Sequence, residues 1–496
     1  MNSVSGIINI LSSTEKEEFI LFLKKQNKRH DTHNIQLFTL LKTDDIIEKN
    51  IDYKNKPALY ALRKRLYDNL IAFIANKRFE NDTSDEKMIL KLLIASKAFF
   101  EHKQYKPAFK TLRKAEEKAV KGEHFNLLNE IYHIGIEYAH LDNKIVFSEL
   151  VEKYQRNQKK FLQEEQLNLG YALLRQELSK IKRGTVAFDF QKTIQSTIEQ
   201  FNISLKEILT FKSLYQILFI ANEYAALLND YYQIERFVSK SYLFIESKQE
   251  QADRHLFYHI QILYFIANML FRNKKFAEAA TYLDKMEMTM QKQDKVYFER
   301  FYCRLQLLRC LTDNYSGNAV AAIARAESVL KTHKGVDISE ILDLQLSLAV
   351  FNFQQLNLNR VQQIFKNFNH TDTWYESKQG MEWTIKKNLI EILLHVELKN
   401  LDYVQSRLNS FKRRYKKYLL EIKEERVHVF LLLVEKYLDA PESFASLTFK
   451  NQVKNAFQWK SYRKEDIFVM SFYAWLKAKI EKTDIYTVTL QLVRES

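Results

Sequence analysis

Apolar residues recur every three and four positions along most of this chain, the period of helices that bury one face. The first stripe, Phe19, Ile20, Phe22 and Leu23, follows Thr14-x-x-Glu17, a capping-box sequence that predicts a helix start. A polar stretch from Lys24 to Asn34 separates it from a short helix carrying Leu37, Phe38, Leu40 and Leu41. Pro57 then stands where a first helical turn tolerates proline. Leu59, Leu62, Leu66, Leu70, Phe73 and Ile74 predict a long helix behind it. The polar run Asn81-Asp82-Thr83-Ser84-Asp85 closes the segment, so residues 1–85 read as a helical N-terminal module.

From Met88 onward the pattern becomes a succession of helical hairpins. Breaks are expected near Gly122-Glu123, Gln163-Glu164, Asn202-Ile203-Ser204, Gln251-Ala252-Asp253, Gln293-Asp294, Gly335-Val336-Asp337, Ser377-Lys378-Gln379-Gly380 and Ile422-Lys423. Their spacing of about 36 to 48 residues fits two helices and a turn, the period of an α-solenoid. After Pro441, Phe444, Leu447, Phe449, Val453, Phe457 and Trp459 continue the stripe. The apolar segment Ile467–Lys477 then suits a terminal unit docking on the last hairpin. The tail Tyr486–Val493 alternates as a strand would, but finds no partner strand and reads as a closing helix.

Two hairpins carry a finer pattern. Leu92, Ala95, Ser96, Phe99, Tyr105, Ala108, Leu112 and Ala115 resemble the tetratricopeptide repeat, and Leu263, Ile266, Ala267, Leu270, Phe276, Ala279, Leu283 and Met286 repeat the spacing. Weaker echoes lie at Ala349, Val361 and Phe365, and at Tyr403, Ser406 and Ser410. The family's initial Trp and closing Pro are missing, and Ser96 or Ala267 stands for its packing glycine. The resemblance implies an all-α, tetratricopeptide-like solenoid over residues 86–440, followed by a C-terminal helical capping region, 441–496. It also implies a groove, formed by the first helices of successive hairpins, that binds a protein or peptide. Phe19-x-x-Phe22-Leu23, Ala61–Leu66 and Ser471–Lys477 are further similar to a group of helical-repeat proteins from Bacteroidetes, a likeness that implies no activity.

Composition narrows the chemistry. The 496 residues include only 8 Gly and 3 Pro, where average usage would give roughly 35 and about 25. No phosphate-cradling loop, dinucleotide fingerprint or nucleophile elbow can be written from so few glycines. Gly122, Gly184, Gly335 and Gly380 are expected at helix ends as left-handed caps. Cys303 and Cys310, seven apart on one helix, are too distant for a disulfide and read as buried thiols of a reducing compartment. No signal peptide is apparent, and Asn222 and Glu223 interrupt the apolar window Leu214–Leu228, so the reading is cytoplasmic.

His255-x-x-x-His259 has metal-ligand spacing but no local third ligand, and Asp253 reads as an N-cap. His30-x-x-His33 lies in a polar loop, while His133 and His140 fit surface positions. Glu116-Glu117 and Glu164-Glu165 fit solvated helix faces. No nucleophile, base and orienter converge, so neither an enzyme nor a metal or cofactor is expected.

A net charge of +15 points to an acidic partner or to nucleic acid. The densest basic run is Lys412, Arg413, Arg414, Lys416 and Lys417, set around a buried stripe of Leu408, Phe411, Tyr415, Leu419 and Ile422. A second patch comprises Lys103, Lys106, Lys110 and Arg113, extended by Lys114, Lys118 and Lys121. Lys91 and Lys97, with Lys103, are expected on the groove side. The expected function is a non-enzymatic scaffold whose basic surface takes an acidic peptide. The alternative is a nucleic-acid-associated regulator, contacting DNA or RNA through Arg63-Lys64-Arg65 of the N-terminal module.

Overall fold

In the computed structural model, the residues described are 4, 7–8, 11, 13–26, 33–43, 56–81, 85–182, 190–203, 210–228, 230–248, 252–332, 337–422, 424–441, 446, 453 and 467–494. Among them are twenty-two α-helices, two short 3-10 turns and no strand. Neighbouring helices in the chain pack as pairs. Two compact units divide the chain, residues 1–157 and 158–496.

The first unit begins with α1 (Ser13–Gln26), α2 (His33–Thr43) and α3 (Lys56–Asn81). Their apolar stripes make one core in which Phe19, Phe38, Leu66 and Leu70 are fully buried. The Phe19 ring meets Phe38 at 4.9 Å and Phe73 at 5.2 Å, both edge-on, so the expected faces pack together. The unit continues with α4 (Asp85–Glu101), α5 (Tyr105–Lys121), α6 (Phe125–Tyr138) and the start of α7 (Phe147–Lys182). The break expected at Gln163-Glu164 does not occur. Neither Gly nor Pro interrupts the helix formers there, so α7 runs through it.

The second unit holds the rest of α7, then α8 (Phe190–Gln200), α9 (Phe211–Leu228) and α10 (Tyr232–Glu246). It continues with the hairpin α11 (Leu256–Arg272) and α12 (Phe276–Met290), then α13 (Phe298–Ser316) with α14 (Ala319–Thr332), and α15 (Ile338–Gln354) with α16 (Leu358–Phe365). A short α17 (Asp372–Gln379) precedes the hairpin α18 (Met381–Glu397) and α19 (Leu401–Glu421), and α20 (Glu425–Asp439) follows. Ser377, Lys378 and Gln379, expected to be a break, are helical, and only Gly380 separates α17 from α18. The chain closes with α21 (Ile467–Glu481) and α22 (Ile485–Arg494), so the alternating tail is helical.

Five hairpins share one turn. The residue two past the first helix takes a left-handed backbone: Lys103 (φ 57°), Lys274 (61°), Gly317 (111°, one past), Leu356 (56°) and Lys399 (58°). The next residue donates its N–H back to the helix: Gln104 to Phe99 at 2.8 Å, Lys275 to Leu270 at 2.9 Å, Asn318 to Asp313 at 2.8 Å, Asn357 to Asn352 at 2.9 Å and Asn400 to His395 at 3.0 Å. These are Schellman closures, which satisfy the last carbonyls of a helix. The donor's own carbonyl then starts the second helix by accepting from Ala108, Ala279, Ala322, Val361 or Val404. Each of those five residues is fully buried. Ser96, Ala267, Cys310, Ala349 and Ile392, seven before each left-handed turn residue, are buried as well. In the first hairpin, Ser96 Oγ donates to the Ala108 carbonyl across the crossing at 3.1 Å.

This geometry corrects three expectations. The echo at Tyr403, Ser406 and Ser410 is exposed, because five residues past Lys399 is Val404; the buried register is Val404, Leu408, Phe411 and Tyr415. Gly122 has φ −90° and Gly380 has φ 90° with extended ψ, so neither is a left-handed cap; Glu123 (φ 52°) takes that conformation after Gly122, and lysine, leucine and Gly317 take it in the five hairpin turns. Gly184, Gly335 and the stripe residues Phe444, Leu447, Phe449, Phe457 and Trp459 lie outside the described residues.

α21 is apolar on nearly all sides, and so is buried. Ile467 and Met470 join the core built by α9–α13, while Trp475, Ala474 and Leu476 join the core of α13–α20. Ser471 Oγ lies 3.3 Å from Tyr315 Oη and accepts from Gln354 Nε2 at 3.0 Å; Trp475 Nε1 donates to Glu397 at 2.6 Å. Tyr486 Oη donates to the Asn314 carbonyl at 2.6 Å. α21 and α22 therefore reach α13, α15 and α18, in addition to Phe430 of α20, whose ring is 5.7 Å from Phe472. The terminal unit spans three hairpins.

Candidate functional site

On α5, Ala108, Leu112, Ala115 and Ala119 face the core. Steps of four, three and eight residues put Lys106, Lys110, Arg113 and Lys121 on the opposite arc, with Lys114 beside them. Glu117 is the only carboxylate that α5 places on that arc. Lys103, Lys106, Lys110, Lys114 and Lys121 are exposed and pair with no carboxylate among the described residues. Arg113 differs: its Nη2 donates to Asp142 Oδ2 at 2.8 Å. The arc lies on the second helix of its hairpin, whereas the expected groove is lined by first helices. Lys97, expected on the groove side, is tied to Glu130 of α6 at 2.6 Å.

The run on α19 has less free charge than its sequence promises. Lys412 reaches Glu435 of α20 at 2.5 Å. Arg414 grips Glu376 of α17 through two nitrogens, at 2.7 and 2.8 Å, and donates to Thr373 Oγ1 at 2.8 Å. That hydrogen bonding to Glu376 raises the Arg414 pKa further. Lys417 has Glu421 at 3.9 Å. Arg413 and Lys416 are exposed with no carboxylate partner among the described residues. In the N-terminal module, Lys64 and Arg65 are exposed and Arg63 is half-buried between the buried Leu62 and Leu66.

The histidines take structural places. His255 stands at the N-cap of α11, so Asp253 does not cap that helix; its carboxylate binds Lys292 at 2.5 Å instead. The His255 ring stacks on Phe211 at 5.3 Å and His259 meets the same ring edge-on at 6.3 Å. Burial, helped by the Lys292 charge, lowers the His259 pKa to about 4. Among the described residues no group of three His, Cys, Asp or Glu is placed to hold a metal. His33 Nδ1 is 3.3 Å from Gln36 Oε1, and His30 lies outside the described residues. Glu116 pairs with Lys153 at 2.9 Å and Glu164 with Lys212 at 2.8 Å. Cys303 and Cys310 are buried free thiols, and burial pushes both up to about 12, which keeps them protonated and unreactive.

One polar cluster has no counterpart in the sequence reading. Lys387, 5 % exposed, lies 3.4 Å from Asp372 and 3.5 Å from Glu391. Arg407 bonds Glu391 and donates to Asn388 at 3.1 Å, and Asn388 donates to Asp372 at 3.0 Å and Tyr415 at 3.1 Å. Tyr403 donates to Glu391 at 2.7 Å. These charges balance and satisfy one another, locking α17, α18 and α19 together. Nearby, burial pushes the Asp343 carboxyl up to about 6. Lys387 and Glu391 stand i, i+4 on α18, a spacing the sequence displays, but their partners Asp372 and Arg407 come from α17 and α19.

No family model matches the chain, and neither a curated protein nor a solved structure matches it.

Proposed function

We propose that this chain is a cytoplasmic, non-enzymatic scaffold: a degenerate tetratricopeptide-like array over residues 86–440, set between a helical N-terminal module and a C-terminal capping region. Its partner is a protein or peptide carrying acidic side chains. The observation that carries this reading is the α5 arc with the turn before it, where exposed Lys103, Lys106 and Lys110 pair with no carboxylate among the described residues. The five matching turns support an array of equivalent hairpins. Rigid hairpins hold the cations in fixed positions, and exposed charge of one sign draws an opposite charge at low salt. The α19 run is secondary, since Lys412 and Arg414 already hold carboxylates.

The test is fluorescence anisotropy of a labelled polyglutamate peptide with the full-length protein. The double substitution Lys106→Glu/Lys110→Glu is expected to weaken binding about tenfold or more, and Arg413→Glu/Lys416→Glu to change it less than about threefold. Equal losses from the two pairs, or no binding by the unaltered protein at low salt, would contradict the assignment.

A further inference from the structure

Aromatic rings from alternate helices form one continuous band in the second unit. Tyr171 of α7 meets Phe219 of α9 edge-on at 5.8 Å, and Tyr215 of α9 lies 6.4 Å from Phe219. Tyr215 continues to Phe257 and Tyr258 of α11, at 6.3 and 5.6 Å. Phe257 in turn meets Tyr297, just before α13, at 5.7 Å and the buried Phe301 of α13 at 5.6 Å. Apart from Phe301, every ring in the band is partly exposed. Contiguous aromatic surface bordered by arginine is the composition of interaction sites.

Arginines stand at both ends of the band. The Arg300 guanidinium of α13 lies over the Phe257 ring, 4.6 Å from its centre. That of Arg175 on α7 lies 5.6 Å from Tyr171 and 5.5 Å from Phe219. Both side chains are exposed and pair with no carboxylate among the described residues. Arg304 differs: it lies 5.5 Å from Tyr264 but is held by Glu340 at 3.0 Å. Phe219, Tyr215 and Phe257 stand in succession between the two unpaired guanidinium groups. A guanidinium is flat and permanently charged, so one stacked on a ring still offers a second face. That face stacks a nucleobase, while its N–H groups bind phosphate. An acidic peptide would use the charge but neither the plane nor the rings. A duplex keeps its bases stacked on one another, which leaves their faces out of reach.

We propose that this band is a docking surface for single-stranded nucleic acid. Unpaired bases stack on Arg300 and along the partly exposed rings, and phosphates pair with Arg175 and Arg300. The surface shares no residue with the basic arc on α5.

Fluorescence anisotropy of the full-length protein tests it at physiological salt. The probes are a labelled oligothymidylate and an abasic sugar–phosphate strand of the same length and charge. The oligothymidylate is expected to bind at least about tenfold more tightly, the gain from stacking one base or more. Arg175→Lys/Arg300→Lys keeps both charges and removes both planes, and is expected to narrow the preference to about threefold or less. Lys106→Glu/Lys110→Glu is expected to leave the preference unchanged. Equal affinity for the two strands in the unaltered protein would overturn the proposal. So would a preference that survives intact in the arginine variant, or one abolished by the α5 variant. The strand comparison needs no variant, and both arginines are exposed, so their replacement leaves the core in place.

Discussion

His259 shows how a residue's spacing and its role can part company. The i, i+4 pair with His255 is plain in the sequence, but the Phe211 ring that both imidazoles contact comes from another helix, α9. In the folded chain His259 has a pKa of about 4, below its ordinary 6.5, because burial disfavours the imidazolium. The unfolded chain therefore takes up this proton first as pH falls. The contribution is intact above about pH 6.5 and is lost on descending toward pH 4, by at most about 3 kcal/mol. Urea unfolding at both ends of that window is expected to show a smaller acid loss for His259→Leu than for the unaltered protein; an identical loss would rule His259 out as its source. Cys310 follows the same logic. Its burial was readable from an apolar helix, but its place in one core with Ala322 of the next helix was not.

The hairpin turn is the scale at which the sequence was most and least legible. The helices were visible because apolar stripes advertise a buried face, and the crossings at Ser96–Ala108 and Ala267–Ala279 were visible because small residues stand out among large ones. The turns were not, since Lys, Leu and Gly all fill the left-handed position, which tertiary packing imposes against local preference. The pattern at Tyr403, Ser406 and Ser410 on α19 therefore stands two residues out of register with the buried Val404 and Leu408. Two substitutions separate these effects. Leu356→Gly removes a side chain that is 47 % exposed from a left-handed site, and is expected to stabilise by about 1 kcal/mol. Ala279→Leu forces bulk into a fully buried crossing and is expected to cost about 2 kcal/mol or more. Thermal denaturation of both variants checks the pair, and the signs are opposite.

At the scale of the molecule, the second unit is organised around its own C-terminus. Trp475 is fully buried, bonded to Glu397, and packed against Tyr437 at 5.5 Å, while Lys479 binds the same Glu397 at 2.7 Å. Trp475→Ala is expected to cost about 3–5 kcal/mol in chemical denaturation. A loss under 1 kcal/mol would mean that α21 is not integral to this core. The apolar density of this segment was legible, but its reach across α13, α15 and α18 was not, because those contacts join residues far apart in the chain, such as Gln354 and Ser471 or Glu397 and Trp475. The same scale decides the basic surface. Ion pairs to α20 and α17 hold Lys412 and Arg414 of the α19 run, whereas Lys106, Lys110, Lys114 and Lys121 of the α5 arc pair with no carboxylate among the described residues. The most direct test of an acidic-partner scaffold is a salt titration of the full-length protein against labelled polyglutamate, with duplex DNA as competitor. The account predicts binding at low salt that weakens steadily as salt rises and survives equimolar DNA. Displacement of the peptide by DNA at every salt concentration would contradict it.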